Sequence, residues 1–260
     1  MGQVASLLRS VGINAGLAVR AVGALPWYLA SLRTFRGMAA RSAGEFPIGK
    51  LYPCLDDRVA FGSNGRGHYF HQDILVARRI FEAQPARHAD VGSRIEGFVA
   101  HVAVFREIEV FDIRAIGAPI ANVVFRQADL AGSLPEAFVE AYDSVSCLHT
   151  IEHVGLGRYG DALDYDGHAK ALRFLTAMVK PGGMLYLSAP VGPQRIEFNA
   201  HRVFAVGYLL DLCRRDFDVV RVSCVDDNGD LTEEVALTPA AIGENFGCTF
   251  GLAILELRKR

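Results

Sequence analysis

The stretch that decides the fold runs from Ala89 to Leu130 and opens with Ala89-Asp90-Val91-Gly92-Ser93-Arg94-Ile95-Glu96-Gly97. This segment is an apolar run that ends in an acid and a glycine turn. Apolar residues at helical spacing follow, and then a β-rich run, Ile108-Glu109-Val110-Phe111, closes on Asp112. A strand, a glycine turn, a helix and a second strand with a terminal acid predict a βαβ nucleotide-binding unit.

The same unit predicts a cofactor site. Gly92 and Gly97 bracket a turn where the backbone comes close to a ligand, and the helix after it offers free N–H groups. Asp112 lies about 20 residues past the turn, where a carboxylate can accept both hydroxyls of a ribose. Asp129 follows the next strand and is placed to accept an exocyclic adenine amine. The full set of predicted cofactor residues is Asp90, Gly92, Ser93, Gly97, Asp112, Ile113, Asp129, Leu130 and His149.

The turn separates two cofactor classes. A dinucleotide fingerprint reads G-x-G-x-x-G, whereas Ser93 and Arg94 stand where further glycines are expected. An acid before the first glycine resembles motif I of class I S-adenosylmethionine (SAM) methyltransferases. That motif usually has a second glycine where this chain has Arg94, so the chain departs from the motif at the position of close backbone approach.

Two later motifs strengthen the resemblance. A predicted fourth strand, Tyr142–Leu148, leads into Glu152-His153-Val154, which is similar to methyltransferases that act on small molecules and glycans. The run from Lys180 to Ser188, which reads KPGGMLYLS, resembles the fifth strand of that superfamily. Over residues 68–258 the chain looks most like an uncharacterised domain-of-unknown-function branch. The resemblance implies SAM as cofactor and an α/β, Rossmann-like, seven-stranded, mostly parallel sheet with an antiparallel last strand.

Composition limits the function. The chain has 260 residues, 51% of them hydrophobic, and a formal net charge of −2. The near-neutral charge argues against a nucleic-acid partner, which a basic patch would serve. Five scattered cysteines without C-x-x-C spacing indicate reduced thiols and a cytoplasmic protein.

Three segments are expected. Residues 1–45 form a helical, basic, amphipathic extension, residues 46–72 a connector loop, and residues 73–260 the SAM methyltransferase-like domain. Residues 2–40 are a candidate for peripheral contact with the inner face of a membrane. The other reading of this extension is a helical cap that packs on the catalytic domain or on a partner subunit, and a homodimer is one such assembly. Asp73 is predicted to cap a helix over Ile74–Phe81.

The predicted catalytic residues are His149, Glu152 and His153, because ligands gather at the carboxyl ends of parallel strands. Histidine has a pKa near neutrality, which suits a general base for a hydroxyl acceptor, and Glu152 can orient it. The string His149 to His153 also matches the H-x-x-E-H pattern of inverted zincins. His149 directly follows a strand, which disfavours the metalloprotease, so no metal ion is predicted.

The predicted acceptor site lies in the glycine-rich loop after the fourth strand and in the segment after the fifth. Its residues are Arg158, Tyr159, Asp161, His201 and Arg202. The function expected is in-line methyl transfer from SAM to a hydroxyl of a small molecule or glycan, with a cell-envelope polysaccharide or glycolipid preferred. The alternatives are a catalytically inactive SAM-fold binding protein and an NAD-dependent sugar-modifying enzyme, which the lack of a Y-x-x-x-K pair disfavours.

Overall fold

A computed structural model of the chain describes residues 12, 14–42, 46–55 and 65–260. It divides the chain into two compact units, Met1–Asn64 and Gly65–Arg260. The predictions for residues 2–11, and those for parts of the connector at 56–64, lie outside the described residues.

The described part of the first unit contains helix α1, Ala15–Ala39. Asn14 caps it, since the Asn14 side chain accepts a hydrogen bond from Leu17 N at 3.1 Å. The apolar side chains of α1 are spread around its axis and do not form one stripe. Among the described helices, none combines the length and the hydropathy that a membrane crossing requires.

The second unit alternates strands and helices. Its helices are α2 (His68–Ala83), α3 (Ala100–Ala103), α4 (Gly167–Met178), α5 (Val206–Cys213) and α6 (Pro239–Gly243), with a π-helical turn, Ile95–Val99, directly before α3. Two short 3-10 turns cover Glu136–Phe138 and Asn245–Gly247. Its strands are β1 (His88–Val91), β2 (Ile108–Asp112), β3 (Val123–Gln127), β4 (Tyr142–Leu148), β5 (Val179–Val191), β6 (Arg195–Glu197), β7 (His201–Val203), β8 (Phe217–Val225), β9 (Leu231–Thr232) and β10 (Gly251–Lys259).

One sheet organises this unit, in the order β3-β2-β1-β4-β5-β10-β8-β9. The first five strands are parallel, and β10 runs antiparallel between β5 and β8. This order confirms the predicted Rossmann-like sheet with an antiparallel last strand. The sheet has eight strands instead of seven, because the two-residue β9 pairs with the end of β8. β6 and β7 form a separate hairpin.

The sheet is buried on both faces. One apolar cluster, which includes Val145, Leu175 and Leu187, packs on one side, and a second, which includes Ile80, Phe98 and Ile254, packs on the other. Burial on both faces explains why the parallel strands read as continuous apolar runs. Because β1, β2 and β4 are parallel, their carboxyl ends meet at one edge of the sheet, and the predicted site residues follow these ends.

Helix α2 differs from the sequence expectation. It begins at His68 after Gly67, whose φ of +103° is readily adopted by glycine, and Asp73 lies inside it instead of capping it. The Asp73 side chain is buried, accepts a hydrogen bond from Gln72 at 3.1 Å and packs where a side chain on Gly97 would stand. A tertiary contact, and not a cap, therefore accounts for this acid.

Candidate active site

A cavity of about 660 Å³ opens at the carboxyl ends of the parallel strands. Its walls come from the turn after β1, the segment after β2, the end of β4 and the loop beyond it, with Tyr69 of α2 at one side. Ten of the predicted site residues line it: Gly92, Ser93, Asp112, Ile113, Asp129, Leu130, His149, His153, Tyr159 and Asp161. The volume lies in the range of small-molecule and cofactor sites.

Gly92 makes the tight turn after β1. Its φ is +74°, in the left-handed region that disfavours other residues, and a Cβ atom there would overlap the Thr150 methyl group. Gly92 N donates to the Phe111 carbonyl at 2.8 Å, which ties the turn to β2. Glycine is therefore required at this position by conformation and by space.

Asp90 holds that turn from below. The carboxylate is fully buried and accepts hydrogen bonds from Ser93 N at 3.0 Å, Ser93 Oγ at 2.6 Å and Ser146 Oγ at 2.6 Å. Burial raises the pKa of Asp90 to about 6, although the serine hydrogen bonds oppose the shift. Asp90 is not among the cavity-lining residues, so its predicted role as a cofactor contact becomes one of positioning the turn.

Gly97 and Arg94 occupy opposite sides of the same turn. Gly97 lies outside the cavity lining, and a Cβ atom there would overlap the Asp73 carboxylate, so its small size serves packing. Arg94 lines the cavity wall, with its guanidinium carbon 4.8 Å from the centroid of the Tyr69 ring. The arginine that departs from the methyltransferase motif is thus folded onto the wall.

Asp112, at the end of β2, has a partner that the sequence reasoning missed. Arg114 donates to it through N at 2.8 Å and Nε at 3.1 Å to Oδ1, and through Nη2 at 2.9 Å to Oδ2. The Arg114 guanidinium also stacks on the Tyr159 ring at 4.4 Å. An arginine two residues after a strand-end acid was the available signal. Asp129, the second predicted acid, accepts a hydrogen bond from Ala131 N at 2.9 Å.

The predicted catalytic residues converge at the end of β4. His149 has φ +57°, a strained value for a residue with a side chain, and its N donates to the Ser188 carbonyl at 3.1 Å. Glu152 is fully buried; its Oε1 contacts His149 Nδ1 and lies 3.7 Å from His153 Nε2. Residues 149–153 form turns and not a helix, which agrees with rejection of the zincin arrangement.

Charge and burial act against each other in this cluster. Burial disfavours the charged form of Glu152, but the neighbouring His149 and His153 outweigh it and lower the pKa of Glu152. Burial lowers the pKa of His153, although Glu152 and the hydrogen bond to the Ala200 carbonyl oppose the shift. The site therefore favours an ionised carboxylate beside a neutral His153 imidazole.

Aromatic rings surround the cluster. Tyr69 stacks on His149 with ring centroids 4.8 Å apart, and His68 Nδ1 lies 3.1 Å from His149 Nε2. Burial, helped by His149, lowers the pKa of His68 to about 4. The His201 ring lies 6.4 Å from that of His153, outside the cavity lining.

Of the remaining predicted acceptor residues, Tyr159 and Asp161 line the cavity, whereas Arg158 does not. Tyr159 lines the cavity, and Arg158 donates to the Ala200 carbonyl at 3.0 Å beside it. Asp161 lines the cavity, but its carboxylate accepts hydrogen bonds from Gly155 N at 2.7 Å and Tyr159 N at 3.1 Å. These bonds outweigh desolvation and lower the pKa of Asp161.

Arg202 departs most from its predicted role. It is buried and donates to the carbonyls of Val154 at 2.6 Å, Asp164 at 3.1 Å and Tyr165 at 3.0 Å. It lies outside the lining of the cavity and fastens the loop after β4 to the hairpin β6–β7. Its assignment to the acceptor site is therefore replaced by a structural role.

The strand order, with a cavity at the carboxyl ends, defines the class: the chain has the fold of class I SAM-dependent methyltransferases. The model of a family described as "Caenorhabditis protein of unknown function, DUF268" matches residues 123–232. No curated protein sequence matches the chain.

Two solved structures are similar to this chain in fold. The (4+2)-cyclase SpnF has a TM-score of 0.51 and 17% sequence identity, over 76% of this chain and 86% of the cyclase. The N-methyltransferase NodS from Bradyrhizobium japonicum WM9, solved with S-adenosyl-L-homocysteine, has a TM-score of 0.50 and 11% identity, over 79% of this chain and 90% of NodS. At these identities the likeness shows the fold alone.

Proposed function

We propose that this protein is a SAM-dependent methyltransferase that acts on a hydroxyl group of a small molecule or glycan. The observation that supports this best is the arrangement of the cavity of about 660 Å³ described above. One part of its lining, the first side, consists of the glycine turn and the strand-end acids of a nucleotide site. The other side has His149 and His153 with the buried Glu152 behind them.

The residues on the first side fit an adenosyl cofactor. Asp112 and Asp129 line the wall and can accept hydrogen bonds from a ribose and an adenine, while Ile113 and Leu130 supply apolar contact. Arg94 lies against the Tyr69 ring and is itself part of the lining. Arg114 holds Asp112, so a ribose has to displace it. When bound, SAM supplies a methyl group that its sulfonium charge has already activated.

The residues on the second side suit an acceptor hydroxyl. Because the donor is already activated, the main task of the protein is to align the two reactants. His149 or His153 can accept the hydroxyl proton, and Glu152 orients His149 through its direct contact with Nδ1. Tyr159 and Arg158, in the glycine-rich loop after β4, are placed to contact the acceptor.

We extend the proposal to the acceptor, the cellular location and the assembly of the protein. We favour a sugar hydroxyl of a cell-envelope polysaccharide or glycolipid, because charged and polar side chains such as Asp112, His149 and His153 line the cavity and a glycine-rich loop borders it. A cytoplasmic location, membrane contact through residues 2–40 and a homodimer complete the proposal. The exposed apolar side chains of α1, such as Val19, Val22 and Leu29, are consistent with a partner surface for that helix.

Calorimetric titration of the purified protein with SAM and with NAD tests the cofactor. We expect saturable SAM binding that weakens at least about tenfold in Asp112→Ala, since a ribose acceptor would be lost. Asp218→Ala is the matched control, because Asp218 is an exposed acid on β8, away from the cavity. Its carboxylate pairs with Arg260. NAD binding without SAM binding would contradict the proposal.

A second experiment separates catalysis from binding. SpnF is a cyclase with this fold, so the fold does not identify the reaction. Incubation with methyl-labelled SAM and candidate glycans should yield labelled product and S-adenosylhomocysteine, followed by mass spectrometry. SAM binding with no turnover on any acceptor class would favour the binding protein instead.

A further inference from the structure

We propose that His149, Glu152 and His153 bind one divalent transition-metal ion at the floor of the cavity. This assignment goes against the sequence expectation of no metal ion. Binding of the ion is independent of the proposed function, whereas its part in methyl transfer rests on that function.

The three side chains have the spacing of a metal site. One ligand atom from each of them lies within 4.8 Å of the other two. Glu152 Oε1 is central: it contacts His149 Nδ1 and lies 3.7 Å from His153 Nε2. Three ligands about 2.1 Å from a common ion stand roughly 3–4 Å apart, so small rotations of the side chains suffice.

The hydrogen bonds of His153 supply the strongest argument. Its Nδ1 lies 2.6 Å from the Ala200 carbonyl oxygen, which can only accept, so Nδ1 carries the proton. In the neutral ring, Nε2 then presents a lone pair towards the Glu152 carboxylate, which is also an acceptor. Two acceptors that face each other repel, and a proton on Nε2 or a metal ion between them removes the repulsion. The separation of 3.7 Å is longer than a hydrogen bond and matches two ligands of one ion. An imidazole that donates its other N–H to a backbone carbonyl is the usual arrangement of a metal-bound histidine.

Glu152 adds an independent observation. The side chain is fully buried, and its Oε2 is buried without a hydrogen-bond partner among the residues that the structure describes. An uncompensated buried carboxylate oxygen is costly, and a bound ion would compensate it. The left-handed φ of His149 adds backbone strain at the same place, as is common at functional sites.

The position of the ligands leaves room for a further ligand. His149 and His153 line the cavity while Glu152 lies behind them, so an ion held between them faces the cavity. Arg158 approaches His153 on its Nδ1 side, at 3.3 Å, and not on the side of Nε2. Two imidazoles with one carboxylate suit Zn²⁺, Co²⁺, Mn²⁺ or Fe²⁺, whereas Mg²⁺ and Ca²⁺ prefer oxygen ligands only.

The ion would act on the acceptor. An acceptor hydroxyl at the open position has a lowered pKa and releases its proton to water. Its oxygen forms the new bond to the methyl carbon while the bond between that carbon and the sulfonium sulfur breaks, which leaves a neutral thioether. His149 and His153 would then act as ligands and not as bases.

Titration of chelator-treated protein with Co²⁺ tests the site by visible absorption, without any turnover. We expect one equivalent of Co²⁺ to bind and give a ligand-field band, and Glu152→Gln and His153→Ala to weaken binding at least about tenfold. His168→Gln is the matched control, because His168 is a buried histidine outside the cluster that contacts Tyr208 at 2.7 Å. Equal Co²⁺ binding by wild type and Glu152→Gln would overturn the proposal.

Thermal unfolding of the wild-type chain keeps the test decisive if a variant fails to fold. Zn²⁺ should raise the melting temperature and Mg²⁺ at the same concentration should not, since only an ion that binds the native state stabilises it. No difference between the two ions would overturn the site. SAM titration of the same metal-free protein separates the proposals: SAM binding without metal binding rejects the ion alone, and metal binding without SAM binding rejects the methyltransferase.

Discussion

Two buried carboxylates, Asp90 and Glu152, stand at the same edge of the sheet and differ in almost every other respect. Asp90 is the third residue of β1, and Glu152 lies four residues beyond β4; neither has measurable exposure. Asp90 accepts three hydrogen bonds from Ser93 and Ser146. Glu152 contacts two imidazoles with one oxygen, and in the described part of the chain its other oxygen has no hydrogen-bond partner.

The difference shows that burial alone does not identify a functional acid. Desolvation is the largest influence on both groups, yet the pKa of Asp90 is raised to about 6 and that of Glu152 is lowered. The neutral partners of Asp90 satisfy it within the fold, and the basic partners of Glu152 keep it charged at the cavity. We therefore propose that Asp90 serves stability and that Glu152 serves the chemistry.

The largest expected effect tests the functional half of this comparison. Glu152→Gln should reduce methyl transfer by about 10²–10⁴-fold, because a neutral amide neither orients His149 nor holds a cation. Initial rates of S-adenosylhomocysteine formation measure the loss, and SAM affinity should stay within about twofold of wild type. A variant that retains a tenth of the activity would remove Glu152 from the chemistry.

The next effect tests the structural half. Asp90→Ala should lower the free energy of unfolding by about 3 kcal/mol, because the donors of Ser93 and Ser146 lose their buried acceptor. Urea denaturation measures this loss. Asp218→Ala, at an exposed acid, should change it by less than about 0.5 kcal/mol. If both variants unfold at the same urea concentration as wild type, Asp90 does not hold the turn.

A smaller effect depends on pH. The pKa of Asp90 rises from 3.8 to about 6 on folding, so the native state binds more protons than the unfolded state between about pH 4 and pH 6. The contribution of Asp90 to stability is therefore lost as pH rises through this window. Relative to Asp90→Asn, wild type should lose on the order of 2 kcal/mol between pH 4 and pH 7. Chemical denaturation of both proteins across this range measures the difference, and parallel curves would contradict the shifted pKa.

The smallest effect concerns a third carboxylate, Asp112, which an arginine satisfies instead of serines. The Arg114 side chain is about half exposed (55%), and such an ion pair is worth at most about 1 kcal/mol. Arg114→Ala should therefore tighten SAM binding by up to about fivefold, because the ribose no longer displaces a partner. Calorimetry measures the change. Weaker binding would mean that Arg114 itself contacts the cofactor.

The sequence determined the sheet and the location of the site. Apolar runs that end at turn-forming residues predict the strands β1, β2 and β4 and the glycine turn after Val91. Each of these signals depends on only a few neighbouring residues. Because these strands are parallel, Asp112, Asp129 and His149, which follow strand ends, lie at one edge of the sheet. Ten predicted site residues line the cavity for this reason.

The tertiary structure decided what each polar side chain does. Arg202 was expected at the acceptor and instead binds backbone carbonyls, while Gly97 is small because Asp73, from another helix, packs against it. Ser146, whose hydroxyl donates to Asp90 from the neighbouring strand β4, likewise follows from side-chain placement. A hydrogen bond depends on distances between residues that the fold brings together, and hydrophobic periodicity carries no information on those distances. Sequence therefore places acids at a strand end, and only packing determines which of them remains available to a ligand.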